Sequence, residues 1–310
     1  MAEARRPESD RLKTRVGKLE LANPILPASG IFGDGGEYRD FYDPAKLGGV
    51  VSKSVTLEPT RGNPPPRIAE TPAGMLNSIG LQNGGLEHFL AQILPPLRAA
   101  ARRVIVSVAG KTADEYETLV RRLAAAPVDA LEINVSCPNV KEGGIAFGVS
   151  ARAVEQLTRR LRRAAGGMPL WLKLTPNVAD IGEIARAAEA AGADALVVAN
   201  TFLGMAVDVE RRRPVLANVT GGLSGPAIHP LALRALWQAR RAVSRPLVAA
   251  GGTAGLREVL AFLITGASAV EVGSMNLVDP GLAGRLVDEL EVWLREHDAT
   301  LAEIIGTLRT

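Results

Sequence analysis

The single cysteine of the chain, Cys137, lies in the segment LEINVSCPNVKEGG, directly after an apolar run that predicts a buried strand. Pro138, Gly143 and Gly144 predict that a loop follows this strand. A lone cysteine is most often a small buried hydrophobic residue, and its reactivity decides whether it has a further role. The residues around it must therefore decide between a structural thiol and a catalytic one.

Polar residues and glycines also mark the carboxyl ends of the other apolar runs. Burying a lysine or an asparagine is costly unless the side chain has a partner, so two of each meeting at one place predict a polar, anionic ligand. The glycines in AAGG and VEVGS would let backbone N–H groups approach an oxyanion, which predicts a bound phosphate, although tight turns also need glycine. The residues concerned are Lys53, Ser54, Ser107, Asn134, Ser136, Lys173, Asn200, Thr201, Gly251, Gly252, Gly273 and Ser274.

Eight short apolar runs supply the elements that must position these residues. They are continuous in Val, Leu, Ile and Ala rather than alternating, as expected for parallel strands that are covered on both faces. Amphipathic stretches such as TADEYETLVRRLAAA and SARAVEQLTRRLRRAA lie between them and predict helices, several of which begin at capping residues. The eight runs are PILPASG, GVVSKSV, VIVSVAG, ALEINVS, LWLKLTP, ALVVANT, PLVAAGG and AVEVGSM.

Eight strand–helix units in about 270 residues predict an α/β fold of the (β/α)₈ TIM-barrel type. A doubly wound sheet is the alternative, but it normally uses fewer strands. We expect one domain over residues 1–310. Gly- and Pro-rich insertions at 55–85 and 202–228 follow strands two and six, and they should elaborate the carboxyl-terminal face, where barrels carry their active sites.

Composition excludes several classes of protein. Hydrophobic residues make up 47% of the chain, which is enough for a large core, and one cysteine excludes an internal disulfide and a CxxC metal motif. No run of about 18 apolar residues occurs and the amino terminus is charged, so we expect a soluble, cytoplasmic protein. The net charge of +3 is mild and the arginines are scattered, which indicates solvated helix faces rather than nucleic-acid binding. The three histidines lack metal-ligand spacing, and no metal site is expected.

The motifs, taken together and in their order, resemble the class 1 dihydroorotate dehydrogenases. The resemblance covers nearly the whole chain, from NPILPASG to VGSMNLVDP, and it rests on VSKSVT, NSIGLQN, EINVSCPNVKEGG, WLKLTP, VVANT, TGGLSGPA, AAGG and VGS. It implies a TIM barrel that binds FMN and oxidises dihydroorotate to orotate in pyrimidine biosynthesis. Class 2 enzymes use serine as the base and carry a membrane-associating extension, so Cys137 and the short polar terminus argue against that class.

Within class 1, NPILPASGIFGDGGEY and ANVTGGLSGPAIHP are closest to the 1B subtype. The resemblance then implies a partner subunit that carries FAD and a [2Fe–2S] cluster and passes electrons to NAD, because this chain has no cysteines to hold a cluster. A homodimer, or a heterotetramer with that partner, is implied as well. A fumarate-linked class 1A enzyme is the alternative within the family.

The resemblance also assigns roles to individual residues. Cys137 would be the general base, on a loop that closes over the substrate. Ser107 departs from the family, which usually has asparagine in an NVAG motif. Because a serine hydroxyl reaches less far than an amide, we expect its contact with FMN to be weaker. The substrate would be held by Lys53, Asn77, Ser78, Ile79, Gly80, Leu81, Asn134, Asn139, Asn200 and Thr201. FMN would be held by Ser29, Gly30, Lys53, Ser54, Ser107, Asn134, Lys173, Ala199, Gly225, Gly251, Gly252, Gly273 and Ser274.

Other FMN barrels offer rival interpretations. A tRNA dihydrouridine synthase would use its cysteine as an acid, but such enzymes need an RNA-binding extension and a strongly basic face, which the sequence does not predict. A relative that acts on free dihydropyrimidines would not need the full set of carboxylate-binding residues. A subunit that only relays electrons would need the glycines and Lys173, but neither Cys137 nor NSIGLQN.

Overall fold

The computed structural model describes residues 11–33, 36–136, 141–142 and 145–309 of the chain, with only the backbone described at 141–142 and 145–146. Its strands are β1 (Thr14–Val16), β2 (Leu19–Leu21), β3 (Ile25–Pro27), β4 (Val50–Val51), β5 (Ile68–Thr71), β6 (Gly74–Asn77), β7 (Val104–Val108), β8 (Ala130–Asn134), β9 (Lys141–Glu142), β10 (Ile145–Ala146), β11 (Leu170–Lys173), β12 (Ala195–Val198), β13 (Phe202–Met205), β14 (Val207–Asp208), β15 (Arg213–Pro214), β16 (Thr220–Ser224), β17 (Leu247–Ala250) and β18 (Ala267–Val272).

Eight of these strands form one parallel sheet in the order β3-β18-β17-β12-β11-β8-β7-β4. Each of them lies within one of the eight apolar runs, with the exception of β18, which begins two residues before its run. The two edge strands approach each other, and the Gly48 N–H donates to the Ile25 carbonyl over 3.0 Å where the sheet closes. The predicted (β/α)₈ TIM barrel is confirmed.

The helices lie outside the sheet and cover the outward faces of its strands. Three of them begin where the sequence predicts, because Thr112, Ser150 and Asp180 each accept a backbone N–H of the first turn with their side-chain oxygen. The α-helices are α1 (Gly85–His88), α2 (Leu94–Ala100), α3 (Ala113–Ala124), α4 (Ala151–Ala165), α5 (Ile181–Ala190), α6 (His229–Ala242), α7 (Leu256–Thr265), α8 (Met275–Val278), α9 (Leu282–Glu296) and α10 (Leu301–Ile304). Within the described ranges, no helix has the combination of length and hydropathy that would let it cross a bilayer.

The first strand–helix unit differs from the prediction. A stacked Phe32–Tyr38 pair, with ring centroids 4.9 Å apart, and a 3₁₀ turn at Pro44–Lys46 stand between β3 and β4 among the residues described there. Residues 28–49 contain six glycines and one proline, and both residue types disfavour a continuous helix. The aromatic pair therefore contributes apolar cover where a helix would otherwise lie.

The amino-terminal end of the barrel is closed by the β1–β2 hairpin. Its side chains Val16, Leu19 and Leu21 are buried and belong to the same apolar cluster as Trp171, which points into the barrel from β11. Because the hairpin fills this end with apolar side chains, the described barrel is accessible to polar ligands only at its carboxyl-terminal mouth.

The two insertions join into a second sheet at that mouth. Strands β5 and β6 come from the first insertion, β13 and β16 come from the second, and the antiparallel order is β13-β16-β6-β5. The central pairing aligns Gly222 with Asn77 and Ser224 with Met75. Both insertions elaborate the carboxyl-terminal face as expected, and their union in one sheet is an additional finding.

Truncating Leu21 should test the hairpin closure. Its side chain is 2% exposed, so Leu21→Ala should lower the free energy of unfolding by about 2–5 kcal/mol through lost burial and a cavity. Leu203→Ala is the matched control, because Leu203 is 59% exposed and its truncation should cost less than about 0.5 kcal/mol. Urea unfolding followed by circular dichroism measures both. Equal effects of the two substitutions would contradict the assigned closure.

Candidate functional site

A continuous hydrogen-bonded chain of side chains crosses the mouth of the barrel. The hydroxyl oxygens of Ser54 and Ser107 are 2.9 Å apart, and those of Ser29 and Ser54 are 3.4 Å apart. Asn134 Nδ2 donates to the Ser54 hydroxyl over 3.4 Å, and Asn200 Nδ2 donates to Asn134 Oδ1 over 3.3 Å. Five residues that the sequence places at the ends of five different strands are thus brought together.

The position of Asn134 is fixed by contacts that sequence reasoning missed. The buried Tyr116 hydroxyl, on α3, donates to the Asn134 backbone carbonyl over 2.6 Å. The Ser136 N–H donates to Asn134 Oδ1 over 3.1 Å, while the Thr201 N–H orients Asn200 through its Oδ1 over 2.8 Å. Tyr116 reads as an ordinary core residue of an amphipathic helix, so the sequence carries no separate signal for this role.

Lys173 lies below this chain in the barrel interior, where it is paired with two carboxyl groups. Its Nζ is 2.5 Å from Glu271 Oε2 and 3.4 Å from Glu132 Oε2. Both glutamates are fully buried, and Lys173 is almost so. Lys173 is among the predicted site residues, and neither glutamate is. The available signal is an acidic residue inside each of the apolar strands ALEIN and AVEV, where an ion without a partner would be costly.

The three groups shift one another's protonation. Burial opposes the charge on Lys173, but the carboxylates of Glu132 and Glu271 outweigh burial and raise the pKa of Lys173 above its ordinary value. Burial, and then repulsion from Glu132, raise the pKa of Glu271 well above the usual range, although Lys173 acts in the opposite direction. Lys173 is therefore a permanent cation under the mouth at neutral pH.

A second cationic feature stands at the rim of the mouth. Lys53 follows β4 and is half-buried, and burial together with the nearby charge of Arg67 lowers the pKa of Lys53. Arg67 directly precedes β5 in the inserted sheet and is not among the predicted site residues. A lysine whose charged form is disfavoured by burial and by a second cation marks a place where an anion would be favoured.

The NSIGLQN segment is held beside the rim by the inserted sheet. Asn77 Nδ2 donates to the Gly222 carbonyl over 3.3 Å, and the Ser78 N–H donates to the Arg67 carbonyl over 2.7 Å. Gly80 and Leu81 follow with φ values of +75° and +58°. A positive φ is uncommon for leucine, so this loop adopts a demanding local conformation. The inserted sheet thus holds residues 77–81 close to Arg67 and Gly222.

The glycines at the mouth fall into two groups. A Cβ on Gly30 would meet no atom within 4 Å, and one on Gly273 would meet only Ala28 Cβ at 3.9 Å, so both border open space. A Cβ on Gly251 would lie 2.8 Å from Ala232 Cβ, and one on Gly252 would lie 2.5 Å from the His229 nitrogen. Packing and positive φ values alone thus require glycine at 251 and 252, and Gly225, at φ +97°, is similarly confined by Gly74.

The remaining predicted residues are placed as follows. The Ala199 N–H, after a cis peptide bond that follows Val198, donates to the Ala250 carbonyl over 3.1 Å, and Ser274 directly follows Gly273. Cys137 and Asn139 lie outside the described residues, as do Pro138, Gly143 and Gly144. Strand β8 ends at Asn134, three residues before Cys137 in the sequence.

The fold and this mouth define a TIM-barrel protein with a polar site above a buried cation. Residues 11–294 match the family model described as dihydroorotate dehydrogenase, and the chain belongs to that family. Its members are flavin-dependent oxidoreductases.

Individual relatives carry more specific names. A protein of Listeria welshimeri, named dihydroorotate dehydrogenase B (NAD(+)), catalytic subunit, is 50% identical over 93% of this chain and 94% of its own length. Proteins of the same name from Trichlorobacter lovleyi and Bacteroides thetaiotaomicron are 49% and 45% identical, and each match covers 96% of this chain and 98% of the relative. The resemblance to the 1B subtype is thereby confirmed.

Two lysines whose ion pairs have the same length but differ in burial should show how much burial contributes to the stability that an ion pair provides. Lys173→Met should cost about 3–5 kcal/mol of stability at neutral pH, because it leaves buried carboxyl groups without their cation. Lys46→Met removes a pair of the same 2.5 Å length to Asp288, but the partner is 60% exposed, and about 1 kcal/mol or less should be lost.

Urea unfolding at neutral and mildly acidic pH measures both variants. The cost of Lys173→Met should shrink as the pH falls, because protonation neutralises the carboxyl groups in the folded and unfolded states alike. A loss as small as that of Lys46→Met would show that Lys173 does not compensate buried charge.

Proposed function

We propose that this chain oxidises (S)-dihydroorotate to orotate with FMN, in pyrimidine biosynthesis, as the catalytic subunit of an NAD-linked enzyme. The observation that carries the proposal is the polar chain of Ser54, Ser107, Asn134 and Asn200 above the buried Lys173. The neutral donors and acceptors of this chain suit the amide groups of the dihydroorotate ring. The cation below them suits the reduced, anionic ring of FMN.

The residues at the mouth fit FMN. Gly30 and Gly273 leave open space against the backbone, as a flat ring or a phosphate requires, and Lys173 supplies positive charge from below. Bound FMN would accept the hydride from C6 of dihydroorotate. The residues proposed to hold it are Ser29, Gly30, Lys53, Ser54, Ser107, Asn134, Lys173, Ala199, Gly225, Gly251, Gly252, Gly273 and Ser274. Ser107 is fully buried and bonded to Ser54, so its support reaches the ring through that neighbour.

The rim supports binding of a carboxylated pyrimidine. Lys53 would bind the substrate carboxylate. Burial and the charge of Arg67 lower the pKa of Lys53, and a bound carboxylate would stabilise its charged form. Asparagine amides can donate to and accept from the ring amides of dihydroorotate. The proposed substrate-binding residues are Lys53, Asn77, Ser78, Ile79, Gly80, Leu81, Asn134, Asn139, Asn200 and Thr201.

Cys137 would remove the proton from C5 of dihydroorotate. In the sequence it follows Asn134, the last residue of β8, by three positions. A thiol with its ordinary pKa of about 8.5 needs little help to form the thiolate, and nearby cations favour that form. A tRNA or free-pyrimidine substrate would leave the cationic rim at Lys53 and Arg67 without a carboxylate to bind.

The electron acceptor follows from the names of the relatives. They are called catalytic subunits and carry NAD(+) in their names, which supports a partner that takes electrons from this chain. That partner would hold the FAD and the [2Fe–2S] cluster, because the single cysteine here cannot ligate one. We further propose that two copies of this chain pair with each other and that each copy binds one partner subunit, which gives a heterotetramer.

Anaerobic mixing with dihydroorotate tests the substrate. Flavin absorbance of the FMN-loaded chain should bleach, and orotate should appear in an amount equal to the flavin reduced. NAD should fail to reoxidise the isolated chain, whereas fumarate turnover would indicate the 1A alternative. Unbleached flavin in a properly loaded protein would refute the substrate assignment, and dihydrouracil would then serve as the next probe.

Replacing the thiol tests the base. Cys137→Ser should slow flavin reduction by dihydroorotate about 100-fold or more, the usual scale for loss of a general base, while FMN and orotate still bind. In the unmodified chain the reduction rate should rise with pH as the thiolate forms. Ser244→Ala, at an exposed position before β17, is the control and should leave the rate near that of the unmodified chain. Rapid reduction by Cys137→Ser, or a flat pH profile at saturating substrate, would exclude the thiol as base.

A further inference from the structure

The interior layer beneath the mouth contains one cation and two carboxyl groups. Lys173 Nζ lies 2.5 Å from Glu271 Oε2, and 3.4 Å and 3.5 Å from the two oxygens of Glu132. Because both carboxyl groups contact the same nitrogen, they also lie within a few ångströms of each other. We refer to Glu132, Lys173 and Glu271 as the interior cluster.

Charge balance limits the protonation of this cluster. If both glutamates were ionised, one excess negative charge would be buried with no solvent contact, which is costly. In addition, Glu271 Oε1 is buried and has no hydrogen-bond donor among the described residues. An ionised Glu271 would therefore leave a charged oxygen unsatisfied, whereas one proton shared within the pair removes both penalties.

No other described charge can supply the balance. On the adjacent strands, Glu132 is paired with Ser107 and Trp171, Glu271 with Ala250 and Leu26, and Lys173 with Asn134 and Val197. None of these six neighbours ionises. Among the described residues, Lys173 is the only cation that forms an ion pair with either glutamate. The interior cluster must therefore balance itself.

We propose that Glu132 and Glu271 hold one proton between them and form, with Lys173, a neutral cluster that sets the charge beneath the bound flavin. This inference rests on the proposed function for the position of the flavin. The two glutamates are positioning residues: they keep Lys173 charged and fixed, and their single negative charge moderates its attraction for a reduced, anionic ring. The shared proton belongs to the pair rather than to one residue.

Glutamine substitutions test the proton count. Replacing either glutamate leaves one carboxyl group, which would ionise opposite Lys173, so Glu132→Gln and Glu271→Gln should each keep the cluster neutral. The ratio of the dissociation constants of oxidised and reduced FMN, obtained from midpoint potentials, should then stay within about twofold of the unmodified chain. Glu132→Gln/Glu271→Gln leaves Lys173 uncompensated and should shift this ratio about tenfold or more in favour of reduced FMN. Glu20→Gln, at an exposed ion pair with Arg15, is the control and should change nothing.

Infrared difference spectra give a readout that needs no turnover. At neutral pH the unmodified chain should show the C=O stretch of a protonated carboxyl group, and this band should vanish in both single variants. Absence of the band, a tenfold shift in either single variant, or an unshifted double variant that binds FMN would each overturn the proposal. If the double variant does not fold, the single variants and the band still decide it. If FMN does not bind at all, the proposed function fails while the infrared test still stands.

Discussion

The buried contact between Lys173 and its two glutamates is the constraint on which the site depends. A closed parallel barrel normally fills its interior with apolar side chains, and the lower part of this one does so around Trp171. One layer higher, the interior is ionic and buried from solvent. The polar chain through Ser54, Asn134 and Asn200 lies above that layer, so the charges below the mouth act on its ligand in a medium of low polarity.

The rest of the architecture serves to hold that layer and to shape the space above it. Helices cap and bury the outward faces of the strands, and Tyr116 reaches from one of them to fix the backbone at Asn134. The inserted sheet brings Asn77 and Arg67 to the rim from a region far from β8 in the sequence. The rim and the polar chain above the interior are thus built from segments that lie far apart in the sequence.

The barrel itself could be predicted from the sequence because parallel strands covered on both faces leave continuous apolar runs. Helix starts such as Thr112 could be predicted because capping is a local interaction. The pairing of β6 with β16 could not, since it joins segments about half the chain apart through short, glycine-rich strands. Glu132 and Glu271 were overlooked because each appears as one acid in an apolar strand, and only the closed barrel shows that both face the same lysine. The 3₁₀ turn that replaces the first helix was also missed, although Pro44 and the glycines on either side of the turn are visible in the sequence.

The β1–β2 hairpin has a consequence for the order of events. Since Val16, Leu19 and Leu21 seal one end of the barrel, everything that binds above Lys173 arrives through the same opening. The ligand that lies deepest has to enter first, and the one nearer the rim covers it. A flavin seated on the interior would therefore be resident, while the pyrimidine comes and goes over it. An electron acceptor that uses this opening would then act only after the product has left, so the substrate and the acceptor would react with the flavin in sequence.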